Sequence, residues 1–429
     1  MRFVLDLAYV IGLLLGSPWL IYKMVTTGKY RAGLGERLGF IRPRTGSARC
    51  LWVHGVSVGE VLAARTFIEE FLHRHADWEV VVSSTTNTGV AVARKTYPQR
   101  RVFYYPLDFS LAVARALGRI RPDLVVLLEA DLWPNFLSAL RRRGVPVVMV
   151  NNRITAASFR RQKLFGFLAR RLYRPIVQIT AQTERHARRL RKLGVPREKI
   201  TVTGSLKYDS APTRVEDPEG LSRELGLSPA SRVLLAGSTF APEEKVMLDI
   251  FSRLRPRFPD LRLVVVPRHK TRFEEVARLI RDAGFEVVRR SEGPRPAGTV
   301  HSGQAVVLGD TMGELTRFYG LAEVVFVGKS LVEGGGQNIL EPAALARPVV
   351  FGPSIYNFQE TADALLAQNG AVRVRDAAEL ERVLTELLAD PEWARRVGES
   401  ARRVIESGRG ATRRNVDIVD KVLAAAGRA

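Results

Sequence analysis

The chain has 429 residues, more than a single hydrophobic core usually serves, so its length predicts two domains. The hydrophobic fraction of 46% excludes a largely disordered chain, and the single cysteine, Cys50, excludes an intrachain disulfide. The formal net charge of +22 favours anionic partners, a class that includes acidic lipid headgroups, phosphates, acidic sugars and nucleic acid. The alternative explanation of the charge is solubility combined with an arginine-favouring genome.

The first predicted element is an apolar helix. Residues 3–21 are almost entirely apolar, interrupted by Asp6 and Pro18, and approach the roughly 17–25 residues of a spanning helix. The segment that follows is basic, which by the positive-inside rule keeps the remainder cytoplasmic and suits an anionic leaflet. We therefore predict a membrane anchor over residues 1–25, which either spans the bilayer or lies in its interface. The alternative is a buried helix of the first domain.

From residue 50 onward, apolar runs alternate with helical patterns, which is typical of parallel sheets covered by helices on both faces. In the first domain, predicted over 26–208, the strand-like runs are 51–53, 80–83, 102–105, 124–128, 145–150 and 176–181. A linker is predicted over 209–220 and a helical tail over 401–429. Between them, a second domain over 221–400 has runs at 233–236, 261–266, 285–288, 305–308, 324–327 and 349–351. Two doubly wound, Rossmann-like domains predict a cleft between the carboxyl ends of their strands.

Acids and a lysine follow strands of the first domain. The segment HGVSVGE leads into a helix near Glu60, which is either a capping group, favoured by the helix dipole, or a general base. In LEADLWPN, Glu129 and Asp131 either orient a substrate or bind a neighbouring arginine. Lys207, in GSLKYD at the domain junction, either faces an anion or is an ordinary linker charge.

Four strand-end loops of the second domain carry polar residues, in the segments GST, PRH, GDTMGEL and GGGQNILEP. The glycine-rich loop leads into a short helix, where free N–H groups suit a phosphate, and Glu341 is placed to accept hydrogen bonds from a ribose. These loops predict nucleotide binding, and the alternative is a set of tight turns that need positive φ. The chain has no P-loop, no GxGxxG after its first strand and no zinc-type spacing of histidine or cysteine.

In these ordered motifs the chain resembles the 3-deoxy-D-manno-octulosonic acid (Kdo) transferases of lipopolysaccharide synthesis, a glycosyltransferase family with the GT-B fold. The similarity runs from GERLGF through HGVSVGE, LEADLWPN, NNRIT, GSLKYD, VPRH, GDTMGEL and GGGQNILEPA to Asn357 and Phe358. It implies inverting transfer of Kdo from CMP-Kdo to a lipid A precursor, lipid IVA, with release of CMP. It also implies anionic inner-membrane lipids as partners, no nucleic acid, no cofactor and no protein-bound metal.

The resemblance also implies roles for individual residues. Glu60 matches the family's proton acceptor, and Glu129 and Lys207 match groups that support the transition state. The residues implied on the acceptor side are Ser57, Gly59, Asp131 and Arg153. The residues implied in donor binding are Ser238, Thr239, Arg268, His269, Met312, Gly313, Glu314, Gly335, Gly336, Asn338, Ile339, Leu340 and Glu341.

Some positions depart from the family pattern. The family often has histidine where this chain has Phe240, Gln337 and Ser354, glycine where it has Lys329, and glutamate where it has Asp131. Glutamine and serine still form hydrogen bonds, whereas the phenyl group does not, so these departures bear on donor contacts and on the identity of the sugar.

Two other functions stay open on the sequence. One is a GT-B enzyme that uses a different acidic-sugar donor, or a nucleotide-sugar epimerase, which would need no membrane segment. The other is a non-catalytic module that binds anionic lipid, which would cluster basic residues on one face without ordered strand-end loops.

Overall fold

The computed structural model describes residues 2–27, 31–129, 132–296 and 304–427. The chain divides into two compact units: the first comprises Met1–Ser210 and Gly408–Ala429, and the second comprises Ala211–Ser407. In the described part of each unit, seven strands form one parallel sheet with helices around it. The predicted α/β class with two parallel-sheet domains is therefore confirmed.

The sheet of the first unit has apolar strands at its centre. Its strands are Cys50–His54 (β1), Glu79–Ser84 (β2), Arg101–Tyr104 (β3), Leu124–Leu128 (β4), Val147–Asn152 (β5), Gln178–Ala181 (β6) and Ile200–Val202 (β7). They run in the order β3-β2-β1-β4-β5-β6-β7, and neighbouring strands are parallel. The strand order changes direction between β1 and β4, which is where open α/β sheets bind ligands.

Helices connect these strands. They are Arg2–Thr27 (α1), Leu34–Arg37 (α2), Val58–Arg74 (α3), Asn87–Thr96 (α4), Ser110–Ile120 (α5), Pro134–Arg142 (α6), Ala156–Leu164 (α7), Gly166–Tyr173 (α8), Glu184–Lys192 (α9) and Leu206–Asp209 (α10). A serine or threonine side chain accepts a backbone N–H at the start of α3, α4, α7, α9 and α10. Such caps satisfy N–H groups that have no partner inside the helix, and they fix where each helix begins.

The second unit repeats the arrangement. Its strands are Arg232–Thr239 (β8), Leu261–Pro267 (β9), Glu286–Arg289 (β10), Ala305–Leu308 (β11), Ala322–Val327 (β12), Val349–Phe351 (β13) and Val372–Arg373 (β14), in the order β10-β11-β9-β8-β12-β13-β14. Its helices are Pro218–Glu224 (α11), Glu243–Leu254 (α12), Phe273–Asp282 (α13), Leu315–Leu321 (α14), Leu340–Ala344 (α15), Gln359–Ala367 (α16), Ala377–Ala389 (α17) and Pro391–Ser407 (α18). Here the strand order changes direction between β8 and β12.

The C-terminal segment differs from the separate tail expected over 401–429. Its last helix, Ala411–Ala425 (α19), returns to the first unit, where Val416, Val419 and Leu423 are buried in the same core cluster as residues of β1 and α3. The linker expected over 209–220 is likewise divided, because Asp209 accepts a hydrogen bond from Gly410 N (2.7 Å) and stays with the first unit. Periodicity predicts an apolar helix face but not the sheet that it covers.

The N-terminal helix α1 docks on the first unit through polar groups near its start. Asp6 accepts hydrogen bonds from Ser110 N and Asn135 Nδ2, both at 2.9 Å, and the Tyr9 hydroxyl donates to Asp108 at 3.1 Å. The same helix exposes Leu7, Leu14, Leu15 and Val25. Among the described residues, no helix has the length and hydropathy needed to cross a bilayer.

The docking site makes stability depend on pH. Burial raises the pKa of Asp108 from 3.8 to about 6, although N–H groups of Asn135 and Phe136 and the Tyr9 hydroxyl act in the opposite direction. The native state therefore holds this proton more tightly than the unfolded chain does. It follows that the Asp108 carboxyl contributes stability below its unfolded pKa, and that this contribution is lost as the pH rises through about 6.

We predict that Asp108→Asn flattens this pH dependence, because the amide does not titrate. Urea unfolding between pH 4 and 6 should show a smaller fall in the free energy of unfolding, by about 2 kcal/mol. The control is Asp77→Asn, at an exposed position before β2, which should keep the wild-type slope. An unchanged slope in Asp108→Asn would contradict the assignment.

Candidate active site

Glu60 forms a capping box at the start of α3. The Ser57 side chain accepts the Glu60 N–H (3.3 Å), while the Glu60 carboxylate accepts the Ser57 hydroxyl and the Val56 N–H, both at 2.8 Å. This reciprocal pair satisfies N–H groups at the helix start. The capping alternative for Glu60 therefore describes the observed geometry, in which the carboxylate is oriented while Glu60 stays partly exposed beside the exposed Ser57.

Glu60 also lies beside the end of β4. A Cβ added at Gly55 would stand 3.1 Å from the Cβ of Glu60 and 3.1 Å from Cδ1 of Leu128, the last residue of that strand. A side chain at 55 would force Glu60 or Leu128 to shift by a few tenths of an ångström, so glycine favours the close approach of the two elements. The result places Glu60 next to the strand end that carries Glu129.

Glu129 and Lys207 form an ion pair in this region. The Lys207 Nζ lies 3.7 Å from Glu129 Oε1, and both side chains are partly buried. Glu129 has a positive φ of 58°, and its carbonyl accepts a hydrogen bond from Asn152 Nδ2 at 2.6 Å. Two residues that lie 78 positions apart in the sequence are thus brought together. The sequence motifs alone did not establish this contact.

The backbone around Lys207 is held from two sides. Ser205 Oγ accepts the Lys207 N–H (3.4 Å), and Asn151 Oδ1 accepts the Leu206 N–H (3.1 Å). On the far side, Asp209 accepts N–H groups of Gly410 and Thr412 at the start of α19. The returning C-terminal helix therefore helps to position Lys207, a function that the sequence analysis missed.

The remaining acceptor-side residues are placed as follows. Gly59 lies in the first turn of α3, one residue before Glu60, and Arg153 follows β5 and is half-buried. Asp131 lies outside the described residues.

In the second unit, four predicted donor-binding residues lie at the ends of adjacent strands β8 and β9. Ser238 and Thr239 end β8, and Ser238 has a φ of 55°. Arg268 and His269 follow β9 and are exposed, and the Arg268 N–H donates to the Thr239 carbonyl at 3.2 Å. Strand pairing therefore brings these two motifs together.

Glu314 belongs to the loop after β11, which also carries Met312 and Gly313. Burial alone would raise the pKa of Glu314, but hydrogen bonds from Thr311 and Arg290 hold it below its usual value. Met312 is exposed, and Gly313 has a φ of 91°. The loop thus presents the apolar side chain of Met312 near the Glu314 carboxylate, which is ionised and paired with Arg290.

The glycine-rich loop is held by one of the residues that depart from the family pattern. Ser354 Oγ accepts the N–H groups of Gly334 (3.2 Å) and Gly335 (2.9 Å). Gly336 has a φ of 73°, and an added Cβ would stand 2.2 Å from Ile355 Cδ1. A side chain at Gly336 would therefore strain the backbone and displace the end of Ile355, and Ser354 holds the loop by accepting its N–H groups.

Glu341 and Asn338 form one hydrogen-bonded group at the start of α15. Asn338 Nδ2 donates to Glu341 Oε1 at 2.8 Å, and Thr316 Oγ1 donates to Glu341 Oε2 at 3.2 Å. Burial raises the pKa of Glu341, although both of these bonds act in the opposite direction. The side chains of Ile339 and Leu340 are buried in the core, so any ligand contact by these two residues would have to use backbone atoms.

Two other departures contact each other. The Lys329 Nζ lies 4.9 Å from the centre of the Phe240 ring, and that ring meets His269 edge-on at 5.2 Å. A cation over an aromatic face is a favourable contact. The phenyl group at 240 therefore supports the ammonium group at 329, and the two expected departures lie in one contact.

Glu243 is a positioning residue that the sequence analysis missed. Its side chain, only 1% exposed, accepts backbone N–H groups of Phe240, Lys329, Ser330 and Leu331 at 2.6–3.0 Å. One carboxylate thus joins the loop after β8 to the loop after β12. The sequence feature that could have identified Glu243 is an acid in the first turn of a helix that directly follows a strand. An exposed capping residue produces the same pattern.

We predict that Glu243→Gln loosens the loop after β12, because an amide offers one acceptor oxygen in place of two. The free energy of unfolding should fall by about 1–3 kcal/mol, and amide hydrogen exchange at Lys329, Ser330 and Leu331 should accelerate. Glu244→Gln is the matched control, since Glu244 is also buried but binds Arg272. Equal acceleration of these amides in both variants would contradict the role of Glu243.

Comparisons with known proteins identify the family to which the chain is similar. A family model described as 3-deoxy-D-manno-octulosonic-acid transferase (kdotransferase) matches residues 32–210. The 3-deoxy-D-manno-octulosonic acid transferase of Haemophilus influenzae is 33% identical, covering 93% of this chain and 93% of its own. The enzyme of the same name from Bordetella pertussis is 33% identical, covering 95% and 93%.

Solved structures share the architecture. The MnaA–UDP co-structure from S. aureus aligns with a TM-score of 0.56 at 15% identity, covering 89% of this chain and 98% of that one. Anabaena HepE in complex with UDP aligns with a TM-score of 0.58 at 13% identity, covering 88% and 100%. These likenesses concern the fold, which resembles that of GT-B glycosyltransferases. The extended sequence identity to the two transferases decides the family: the chain is a glycosyltransferase that belongs to the 3-deoxy-D-manno-octulosonic acid transferases.

Proposed function

We propose that the chain transfers Kdo from CMP-Kdo to a lipid A precursor, lipid IVA, with inversion at the anomeric carbon and release of CMP. The observation that carries the proposal is the grouping of charged residues where the first sheet changes direction. There the Glu129–Lys207 ion pair of 3.7 Å follows β4, next to the oriented carboxylate of Glu60.

In this proposal Glu60 is the general base. The acceptor hydroxyl replaces the Ser57 hydroxyl as a donor to the carboxylate, and Glu60 removes its proton as the oxygen bonds to the anomeric carbon. The bond from that carbon to the CMP phosphate breaks on the opposite face, and its electron pair leaves with the phosphate. Lys207, held by Glu129, supplies positive charge to the carboxylate of the sugar or to the developing phosphate charge.

The second unit holds the nucleotide. Arg268 and Lys329 supply positive charge at the ends of β9 and β12, and the Asn338–Glu341 group presents carboxylate and amide atoms to the ribose. We propose that these charges take the place of a metal ion in stabilising the leaving CMP. Chelators should then leave turnover unchanged.

Glu60→Gln tests the base. Glutamine preserves the side-chain volume and is accepted in a capping box, so the fold and CMP-Kdo binding should persist, while transfer falls by ~10²–10⁴-fold. The measurement is added Kdo mass on lipid IVA by mass spectrometry, with CMP-Kdo binding followed by calorimetry. Glu69→Gln, an exposed position on the same helix, serves as the control and should transfer normally. Turnover near the wild-type rate in Glu60→Gln would remove Glu60 from the role of base.

We further propose that α1 lies in the interface of the inner membrane, with the catalytic units on the cytoplasmic side. The support is an exposed apolar surface that includes Leu14, Leu15, Trp19, Tyr22 and Val25 on a helix that is followed by basic residues. Docking of its first turns through Asp6 fits a helix that lies against the protein rather than one that leaves it.

We predict that Leu14→Asn with Leu15→Asn weakens binding to anionic vesicles by at least ~10-fold, because the apolar area that enters the interface is reduced. Co-sedimentation measures the change. Leu62→Asn, an exposed leucine on α3, is the control and should bind as the wild type does. Full vesicle binding by the double variant would show that another surface of the protein binds the membrane.

A further inference from the structure

The last helix, α19, carries a polar side chain on the face that it buries. The buried residues of this helix are Ala411, Asn415, Val416, Val419 and Leu423, and Asn415 is completely buried. Removing an amide from water costs free energy unless its polar atoms find partners. An apolar side chain would pack on this face without that cost, so the partners of the Asn415 amide indicate what it contributes.

The Asn415 amide has partners for both its nitrogen and its oxygen. Nδ2 donates to Thr203 Oγ1 at 3.1 Å and to the Ala411 carbonyl at 2.7 Å, and Oδ1 accepts the hydroxyl of Thr180 in β6. The Thr180 oxygen in turn accepts the N–H of Asn151 at 3.0 Å. Because this oxygen accepts from a backbone N–H, its own proton is available to Asn415, which fixes the orientation of the amide.

Asn151 continues this chain of hydrogen bonds to the ion pair of the candidate active site. It lies where the pairing register between β5 and β6 shifts, and it has a φ of 60°. Irregularities of this kind change the direction of a strand side chain. Asn151 Oδ1 accepts the N–H of Leu206, one residue before Lys207, and Asn152 donates to the Glu129 carbonyl. Adjacent residues of one strand therefore hold the backbone on both sides of the Glu129–Lys207 pair.

Helix α19 also holds the segment between β7 and α10 at a second point. The Thr203 hydroxyl accepts Asn415 Nδ2, and the Thr203 carbonyl accepts Arg414 Nε at 2.8 Å. Thr203, Thr180 and Asn151 are all buried, as Asn415 is. A satisfied hydrogen-bond network that is shielded from water fixes one arrangement of its members. The backbone that leads into Lys207 is therefore defined by residues of the C-terminal helix.

We propose that Asn415 is a positioning residue for the transfer reaction. Through Thr180 and Asn151 it fixes the backbone from which Lys207 extends, and thereby the placement of the Lys207 ammonium group beside Glu129. This inference rests on the proposed function for the roles of Lys207 and Glu129 in the transition state. It gives the C-terminal helix a part in the reaction that its apolar residues do not have. The alternative is that the amide only fixes how α19 packs on the sheet.

Two variants of the full-length chain interrupt the hydrogen bonds at different points. Asn415→Leu removes the amide and keeps a side chain of similar size, and Thr180→Val removes the hydroxyl and keeps the branched shape. Thr180→Ser retains the hydroxyl and is the conservative variant. Val419→Ala is the matched control, because it creates a cavity on the same buried face of α19 and leaves the hydrogen bonds in place.

We expect kcat for Kdo transfer to fall by ~10–10²-fold in Asn415→Leu and in Thr180→Val, with the KM for CMP-Kdo unchanged, because a small misplacement of a reacting group has an effect of this size. The Leu206 amide should exchange its hydrogen faster in both variants. Thr180→Ser should keep the wild-type kcat and the wild-type exchange rate. Val419→Ala should unfold at lower urea concentration but keep the wild-type kcat.

A double variant tests the route through Lys207. In a Lys207→Ala background, Asn415→Leu should lower kcat little further, whereas an additive loss would overturn this route. Loss of kcat in Val419→Ala equal to that in Asn415→Leu would overturn the proposal, because it would show a dependence on stability alone. Wild-type kcat in both Asn415→Leu and Thr180→Val would overturn it as well.

Hydrogen exchange keeps the test separate from the proposed function, because it is measured without donor or acceptor. Unchanged exchange at Leu206 in both Asn415→Leu and Thr180→Val would overturn the positioning role whatever the wild-type enzyme transfers. Absence of Kdo transfer by the wild type would instead overturn the proposed function. In that case the exchange rates would still decide whether Asn415 orders the backbone before Lys207.

Discussion

Both faces of each parallel sheet are covered, and this burial is the constraint on which the remaining structure depends. Strands such as β1, β4 and β8 are almost completely buried, so a substrate cannot reach side chains along their length. The candidate site residues are confined to the loops at the carboxyl ends of the strands, and adjacent strands bring those loops together. The points where the strand order changes direction then hold Glu60 with Glu129 in the first unit, and Ser238 with Lys329 in the second.

Several of these strand-end residues adopt a left-handed backbone without being glycine. Glu129, Ser238 and Lys329 have φ values of 58°, 55° and 55°. Such conformations cost about 1–3 kcal/mol each and persist where surrounding contacts fix them. The contacts are present: Asn152 binds the Glu129 carbonyl, and Glu243 binds the Lys329 N–H at 2.6 Å. These contacts fix the backbone from which the Glu129 and Lys329 side chains extend.

The sequence was sufficient for the α/β class, for six of the seven strands in each sheet and for the strand-end location of the predicted site residues, but it did not predict the short edge strands β7 and β14. Alternation of apolar runs with helical patterns is a local property, and the carboxyl ends of parallel strands follow from it. It was insufficient for contacts between distant segments. The return of α19 to the first unit, the Glu129–Lys207 pair and the burial of Glu243 each depend on partners more than 75 residues away (415 to 203, 207 to 129, 329 to 243). Nothing in a local pattern identifies such partners.

The contact between Phe240 and Lys329 has a consequence for how this sequence can change. Lys329 adopts a φ of 55°, its side chain lies beside the phenyl ring, and its N–H is bound by Glu243. These three features support one another. Histidine at 240, with Lys329 retained, would replace the phenyl face by an imidazole face that attracts the ammonium group less strongly. A protonated imidazole would repel the ammonium group. Glycine at 329 would relieve the backbone, but it would remove both the cation–ring contact and the positive charge that we propose faces the nucleotide. The side chains at 240 and 329 are therefore coupled, so a substitution at either position changes the surroundings of the other.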